Sequence, residues 1–244
     1  MRVLVTRPAS DAGGIVGRLA ALGIEAVVDP LIEIVLAPPE TAAVEGVTAT
    51  IVTSRNALRA LAASPAIDAA RAMPLFVVGP GTEAEARRLG FDCVTAGAGT
   101  ARDLVPVVAA RAGAGPVAYL AGETLAFDLA AALEAARCAV RQTTVYRQVA
   151  ADRLIPATEA LLRQGAIDAV ILMSPRTAET YVRLVHDAGL QQAVRGLVHC
   201  CISPRVASAL EPLRLRDVLA AAHPTAEDLL ALVAAQRHTP PRAG

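Results

Sequence analysis

The sequence predicts an α/β protein: two similar parallel-sheet α/β domains joined by a two-stranded antiparallel linker. Three observations predict it. Short apolar, β-branched runs alternate with segments of helical spacing, the rhythm of repeated βα units. Pieces of that rhythm recur at nearly the same separation: Thr53-Ser54-Arg55 against Met173-Ser174-Pro175-Arg176, and Thr100-Ala101-Arg102-Asp103-Leu104 against Thr225-Ala226-Glu227-Asp228-Leu229. Two extended segments, Asp29 to Pro39 and Arg141 to Ala150, break the rhythm and read as long strands leaving one unit for the other.

The first unit sets the pattern. Val3-Leu4-Val5 is a buried strand, Thr6 to Ser10 is a turn, and Ile15, Val16, Leu19 and Leu22 recur at helical spacing. Gly23 stands where a left-handed cap closes that helix, and Ala26-Val27-Val28 begins the next strand. Further strands are expected at 49–54, 75–79, 93–96, 117–121, 139–149, 168–174, 199–203 and 217–221. Helix starts are marked by Thr82-x-x-Glu85, Thr100-x-x-Asp103 and Thr225-x-x-Asp228 as capping boxes. Ser174-Pro175 and Ser203-Pro204 place a cap before a first-turn proline. Residues 1–33 with 153–244 are expected to form one discontinuous domain and 40–144 the other. Residues 34–39 and 145–152 are then the crossing strands, and 237–244 a frayed tail.

Composition excludes several functions. With 54% hydrophobic residues, 19% charged and a mean hydropathy of +0.46, the chain is too apolar for disorder. Its formal charge is zero and aromatics are 2%, which disfavours gripping a nucleic-acid backbone or stacking bases. All 23 basic residues are arginine, so a Schiff-base lysine, a Walker lysine and pyridoxal phosphate are excluded. No apolar run approaches the ~18 residues of a membrane span, and the charged start is no signal peptide. Cys93, Cys138, Cys200 and Cys201 lack C-x-x-C spacing and read as reduced thiols of a cytoplasmic protein. His186, His199, His223 and His238 lie in separate segments without metal-ligand spacing. No dinucleotide fingerprint, nucleophile elbow or H-E-x-x-H motif occurs. No cofactor or metal is therefore expected.

What recurs is a turn type. A hydroxyl residue followed closely by arginine ends strand after strand: Thr6-Arg7, Ser54-Arg55, Ser174-Pro175-Arg176 and Ser203-Pro204-Arg205. Gly79-Pro80-Gly81-Thr82, Gly97-Ala98-Gly99-Thr100 and Ala121-Gly122-Glu123-Thr124 add small-residue turns. Open parallel sheets bind ligands beyond those strand ends, and free N–H groups near arginine bind anions. Two such domains would line a cleft for a large ligand carrying several carboxylates or phosphates. Arg7 has a second reading, in which it bridges the turn to its own domain.

Seven blocks in order resemble the uroporphyrinogen-III synthase family. They are Val3-Leu4-Val5-Thr6-Arg7-Pro8, Pro30-Leu31-Ile32-Glu33-Ile34, Val52-Thr53-Ser54-Arg55-Asn56-Ala57 and Phe76-Val77-Val78-Gly79-Pro80-Gly81-Thr82 with Leu89-Gly90-Phe91. Val145-Tyr146-Arg147, Met173-Ser174-Pro175-Arg176-Thr177-Ala178 and Pro224-Thr225-Ala226-Glu227-Asp228-Leu229-Leu230 complete them. The resemblance implies a cofactor-free lyase of porphyrin and heme biosynthesis, acting as a monomer on the linear tetrapyrrole hydroxymethylbilane. Water is lost, the last ring inverts through a spiro intermediate, and the macrocycle closes to uroporphyrinogen III. Thr6, Arg7, Ser54, Thr82, Gly122, Ser174 and Ser203 are the expected binding turns. Tyr146 is the expected catalytic residue: its neutral hydroxyl donates a hydrogen bond that helps hydroxide leave as water. Strand alternation puts Thr144 on its face and turns Val145 and Arg147 away. One block departs from the family, since Ser203 stands where glycine is usual. That departure keeps a second reading open, a non-catalytic two-domain binder of an anionic small molecule.

Overall fold

The computed structural model describes residues 1–236, so the expected tail at 237–244 lies outside the described residues. The chain opens with β1 (Arg2–Val5), α1 (Ala9–Ala21), β2 (Glu25–Val28) and β3 (Ile32–Leu36). Next come β4 (Ala49–Val52), α2 (Arg55–Ala62), α3 (Ile67–Arg71), β5 (Leu75–Val77), α4 (Pro80–Arg88) and β6 (Val94–Ala96). After these follow α5 (Ala101–Arg111), β7 (Val117–Gly122), α6 (Leu129–Ala135), β8 (Val140–Ala150), α7 (Pro156–Arg163) and β9 (Ala169–Leu172). The rest is α8 (Pro175–Asp187), α9 (Gln191–Val194), β10 (Val198–Cys201), α10 (Pro204–Ser208), β11 (Asp217–Ala220) and α11 (Ala226–Ala235). Two compact units result: Met1–Glu33 with the described residues from Val149 onward, and Ile34–Gln148.

The first unit holds a five-stranded sheet in the order β11-β10-β9-β1-β2, parallel throughout. Buried strands alternate their apolar side chains between two helix layers. Val3, Val5, Ala169 and Ile171 meet Ile15 and Leu19 of α1 and Leu229 and Val233 of α11. Leu4, Val170 and Leu172 meet Tyr181, Leu184 and Val185 of α8 on the other face. Cys200 and Cys201 divide between the same two faces, as consecutive strand residues must. Burial pushes both thiols up to about 12, which leaves them inert.

The second unit contains the six-stranded sheet β3-β8-β7-β4-β5-β6, in which β4 to β8 run parallel. Val52, Val77 and Leu120 pack on Leu58 and Leu61 of α2, while Ile51, Phe76 and Tyr119 pack on Leu104 and Val108 of α5. Setting β3 aside, the order β6-β5-β4-β7-β8 matches β11-β10-β9-β1-β2 strand for strand. The repeated sequence fragments therefore occupy equivalent places. Ser54 and Ser174 each follow a central strand, cap a helix and share one backbone conformation (φ −152°, ψ 155° and φ −151°, ψ 152°). Thr100 and Thr225 each accept the N–H of the aspartate three residues on, but only Thr100 completes the expected capping box, because Asp228 accepts from the His223 N–H at 2.9 Å instead.

Local signals act where the sequence places them, with three corrections. Gly23 (φ 66°) closes α1 with paired bonds, its N–H to the Ala20 carbonyl and that of Ile24 to Leu19. Thr82 is not a cap: α4 begins at Pro80 with Gly79 before it, because proline's fixed φ favours the first helical position. Ser203 precedes α10 but its side chain makes no cap bond. The third correction lies in β8. A register shift pairs Ala121 with Thr144 but Gly122 with Tyr146, leaving Val145 as an extra, bulged residue. The alternation expected around Tyr146 is broken there: Val145 is fully buried, and Tyr146 packs against the same cluster.

Two stability predictions arise here. The Ser174 hydroxyl accepts the Thr177 N–H at 3.1 Å, whereas Ser203 has no such bond. Ser174→Ala is expected to cost about 1 kcal/mol in urea unfolding, and Ser203→Ala far less. Equal costs would contradict the assignment of caps.

The second prediction concerns His199, which is fully buried. Its Nδ1 lies 3.0 Å from the Leu197 carbonyl, an acceptor only, so Nδ1 carries the proton. Nε2 then accepts the Tyr181 hydroxyl at 3.1 Å. Burial pushes the imidazole from 6.5 down to about 4. The unfolded chain therefore binds a proton that the folded chain refuses between those values. Stability is complete above pH 6.5 and falls as pH drops toward 4, by up to about 3 kcal/mol. His199→Gln keeps an acceptor for Tyr181, so its melting temperature is expected to fall less steeply from pH 7 to 4. Parallel wild-type and variant profiles would contradict this.

Candidate functional site

Both sheets present their chemistry at strand carboxyl ends, where doubly wound sheets bind ligands beside the point at which strand order reverses. In the first unit that point lies between β1 and β9. Thr6 and Arg7 follow β1 there, and Ser174 follows β9; Ser203 follows the adjacent β10. The structure gives the side chains of Thr6, Arg7 and Ser174 internal work. Thr6 is fully buried and donates its hydroxyl to the Ile171 carbonyl at 2.7 Å, tying β1 to β9. The Arg7 guanidinium lies 3.7 Å from the Asp11 carboxylate and 3.4 Å from the Met173 sulfur. Those contacts join Arg7 to the first turn of α1 and to the end of β9. Ser174 spends its hydroxyl on the α8 cap.

In the second unit the reversal lies between β4 and β7, and a pocket of about 640 Å³ opens there. Gly122 and Tyr146 line it; Ser54 and Thr82 do not. Ser54 is occupied in capping α2, 3.2 Å from the Ala57 N–H, and Thr82 is buried within α4. Gly122 has a plain steric reason. A Cβ there would lie 2.5 Å from Tyr146 Cζ and 2.6 Å from its hydroxyl oxygen. The phenol ring thus rests directly over the end of β7.

Of the remaining lining, Gly99, Thr100 and Thr124 belong to the small-residue turns marked in the sequence, whereas Tyr119, Leu125, Phe127 and Arg102 were not singled out there. Thr53, Thr100 and Thr124 bring hydroxyls, and Tyr119, Leu125 and Phe127 bring apolar surface. The Tyr119 hydroxyl stands 3.2 Å from Thr53 Oγ1. Burial first, with Tyr146 and Asp128 nearby, raises the Tyr119 phenol above its usual range, against the opposing hydrogen bond from Thr53. Tyr119 therefore stays a neutral donor. Among the described residues Arg102 is the one cation of the lining, its Cζ 4.6 Å from the Phe127 ring centroid. The missed signal was scarcity: three of the chain's six aromatic residues face this one pocket. Among the described residues no carboxylate, histidine or cysteine lines it. Its chemistry is hydrogen-bond donation, one positive charge and an apolar wall, with no charged base and no thiol nucleophile.

Fold and site together define a class: a duplicated, doubly wound α/β protein with a donor-rich pocket at the strand carboxyl ends. The sequence matches the family model described as uroporphyrinogen-III synthase HemD over residues 14–231. The chain belongs to the uroporphyrinogen-III synthase family, whose members are cyclising lyases of tetrapyrrole biosynthesis. Solved structures agree in fold. A uroporphyrinogen-III synthetase from Helicobacter pylori superposes with a TM-score of 0.66 at 16% identity, covering 97% of this chain and 100% of its own. A mutant uroporphyrinogen III synthase from Thermus thermophilus gives 0.53 at 18% identity, covering 98% and 100%. No curated protein matches at the level of sequence. No helix among the described residues is long and apolar enough to cross a membrane.

Proposed function

We propose that the chain closes hydroxymethylbilane to uroporphyrinogen III, with Tyr146 assisting loss of the terminal hydroxyl. The observation that carries this reading is the pocket at the β4/β7 reversal, where Tyr146, Tyr119 and Thr53 supply neutral donors. A hydroxymethyl group on an electron-rich pyrrole leaves as hydroxide because the ring nitrogen supports the resulting cation. A neutral phenol eases that departure by donating a hydrogen bond to the leaving oxygen. Among the described residues the lining holds no thiol, imidazole or carboxylate, which suits the next step, since such groups would capture the cation before a pyrrole carbon attacks it.

The strand-end turns of both units, Thr6, Arg7, Ser54, Thr82, Gly122, Ser174 and Ser203, contribute binding through backbone N–H groups and hold the bilane's carboxylates. Because several of their side chains already serve caps or sheet contacts, serine-to-alanine changes act on stability more than on affinity. The two units function as domains, with β3 and β8 as an antiparallel linker. Supporting that direction, Ala37 N–H meets the Val145 carbonyl at 2.8 Å, while Ala151 N–H meets that of Leu31 at 3.0 Å. The protein works in the cytoplasm as a monomer without a cofactor; free thiols at all four cysteines suit a reducing compartment. The non-catalytic binder is disfavoured because the departing turn at Ser203 lies outside the pocket that carries Tyr146, Tyr119 and Thr53. Consumption of fresh hydroxymethylbilane tests the reading. Expected is a rate proportional to enzyme and far above spontaneous closure; a rate independent of protein would refute it.

A further inference from the structure

We propose that Arg102 is a specificity-determining residue that receives a ring-borne carboxylate of the substrate in the β4/β7 pocket. This rests on the synthase reading and deepens it. Arginines at the surface of this chain commonly find a carboxylate on their own helix. Arg87 pairs with Glu83 at 2.9 Å, Arg88 with Glu85 at 2.7 Å, and Arg71 with Asp68 at 2.8 Å. Arg102 does not. Among the described residues it makes no hydrogen bond or salt bridge, and the carboxylate next to it is committed elsewhere. Asp103 accepts the Thr100 N–H at 2.9 Å and its hydroxyl at 2.7 Å, completing the α5 capping box.

What fixes Arg102 instead is the face of Phe127, 4.6 Å from its guanidinium carbon. Stacking holds the guanidinium plane while leaving its N–H edges unspent, the arrangement that suits a bidentate carboxylate. The same pocket offers Tyr119, Tyr146 and Leu125 as apolar surface for a flat ring, and Thr53 and Thr100 as hydroxyls. A volume of about 640 Å³ lies within the usual range of a small-molecule site and takes a ring with its side chains. The chemistry recognised is therefore a five-membered heteroaromatic ring bearing short carboxylate arms.

The test compares wild type, Arg102→Gln and Arg102→Lys in two measurements. The first is steady-state kinetics on hydroxymethylbilane. Arg102→Gln is expected to raise KM about ten-fold, with the loss falling on KM rather than kcat, and Arg102→Lys is expected to recover part of it. The second is binding of uroporphyrin, the oxidised eight-carboxylate macrocycle, by quenching of its fluorescence. Arg102→Gln is expected to weaken that binding about ten-fold, with a melting temperature like that of wild type. KM and porphyrin affinity both equal to wild type in Arg102→Gln would overturn the proposal, as would a loss confined to kcat. Wild type inert on hydroxymethylbilane but binding porphyrin through Arg102 would overturn the synthase reading and uphold the carboxylate site.

Discussion

Gly122→Ala is expected to lower turnover about 100-fold while leaving the fold intact, because the added methyl group evicts the Tyr146 ring. The Cβ would stand 2.5 Å from Cζ, 2.6 Å from the hydroxyl oxygen and 3.0 Å from Cε1, distances that non-bonded carbon does not sustain. Backbone strain is not the cause, since Gly122 lies outside the positive-φ glycines and alanine suits its strand conformation. The end of a tyrosine side chain moves more cheaply than strand β7, so the ring gives way and the melting temperature stays near wild type. The displaced ring leaves its productive position and intrudes on the pocket, so kcat falls and KM rises together. Gly122→Ala with wild-type turnover would mean that the Tyr146 hydroxyl has no part in the reaction. The coupling has its own signature: added to Tyr146→Ala, which removes the ring, Gly122→Ala is expected to cost little more.

Tyr146→Phe is the second large effect, a loss of about ten-fold or more in kcat with KM nearly unchanged. The phenylalanine ring keeps the packing of Tyr146 against the cluster of Val52, Leu120 and Val145 and removes only the donor. A hydrogen bond to a group developing charge is worth about 1.5–3 kcal/mol, which sets the scale of the loss. Catalysis is expected to persist, because positioning a multiply charged bilane supplies much of the acceleration and Tyr119 remains a donor in the same pocket. Stopped-flow or quenched-flow turnover on the purified variant measures it. Unchanged kcat would return Tyr146 to a packing role and leave Tyr119, hydrogen-bonded to Thr53, as the phenol to examine.

The strand–helix rhythm was legible because parallel strands buried on both faces read as short continuous apolar runs, as in Ala49–Val52 and Ala169–Leu172. Caps were legible at Thr100, Ser174 and Thr225, while Ser203 carried the same signal and makes no cap bond. At Thr82 two local signals competed, and the proline two residues earlier won. The bulge at Val145 was not legible, because a register shift belongs to the pairing of β8 with β7 and leaves no trace in either strand alone. The pocket was hidden for the same reason. Thr53 and Tyr119 meet only because β4 and β7, distant in sequence, are neighbours in the sheet. Hydroxyl residues at strand ends were visible, but whether a hydroxyl faces a ligand or caps its own helix depends on one residue of offset. Ser54 caps and Thr53 lines the pocket.

The most direct test is the regiochemistry of ring closure. Hydroxymethylbilane closes without help to uroporphyrinogen I, with the last ring in its original orientation, so the isomer formed reports whether the protein directs the reaction. Fresh bilane is incubated with catalytic amounts of the purified chain, the products are oxidised, and the porphyrin isomers are separated chromatographically. Expected is isomer III in large excess from the wild type, with isomer I rising in Tyr146→Phe and Gly122→Ala as the directed path slows against the spontaneous one. Isomer I alone from the folded wild-type protein would contradict the synthase assignment.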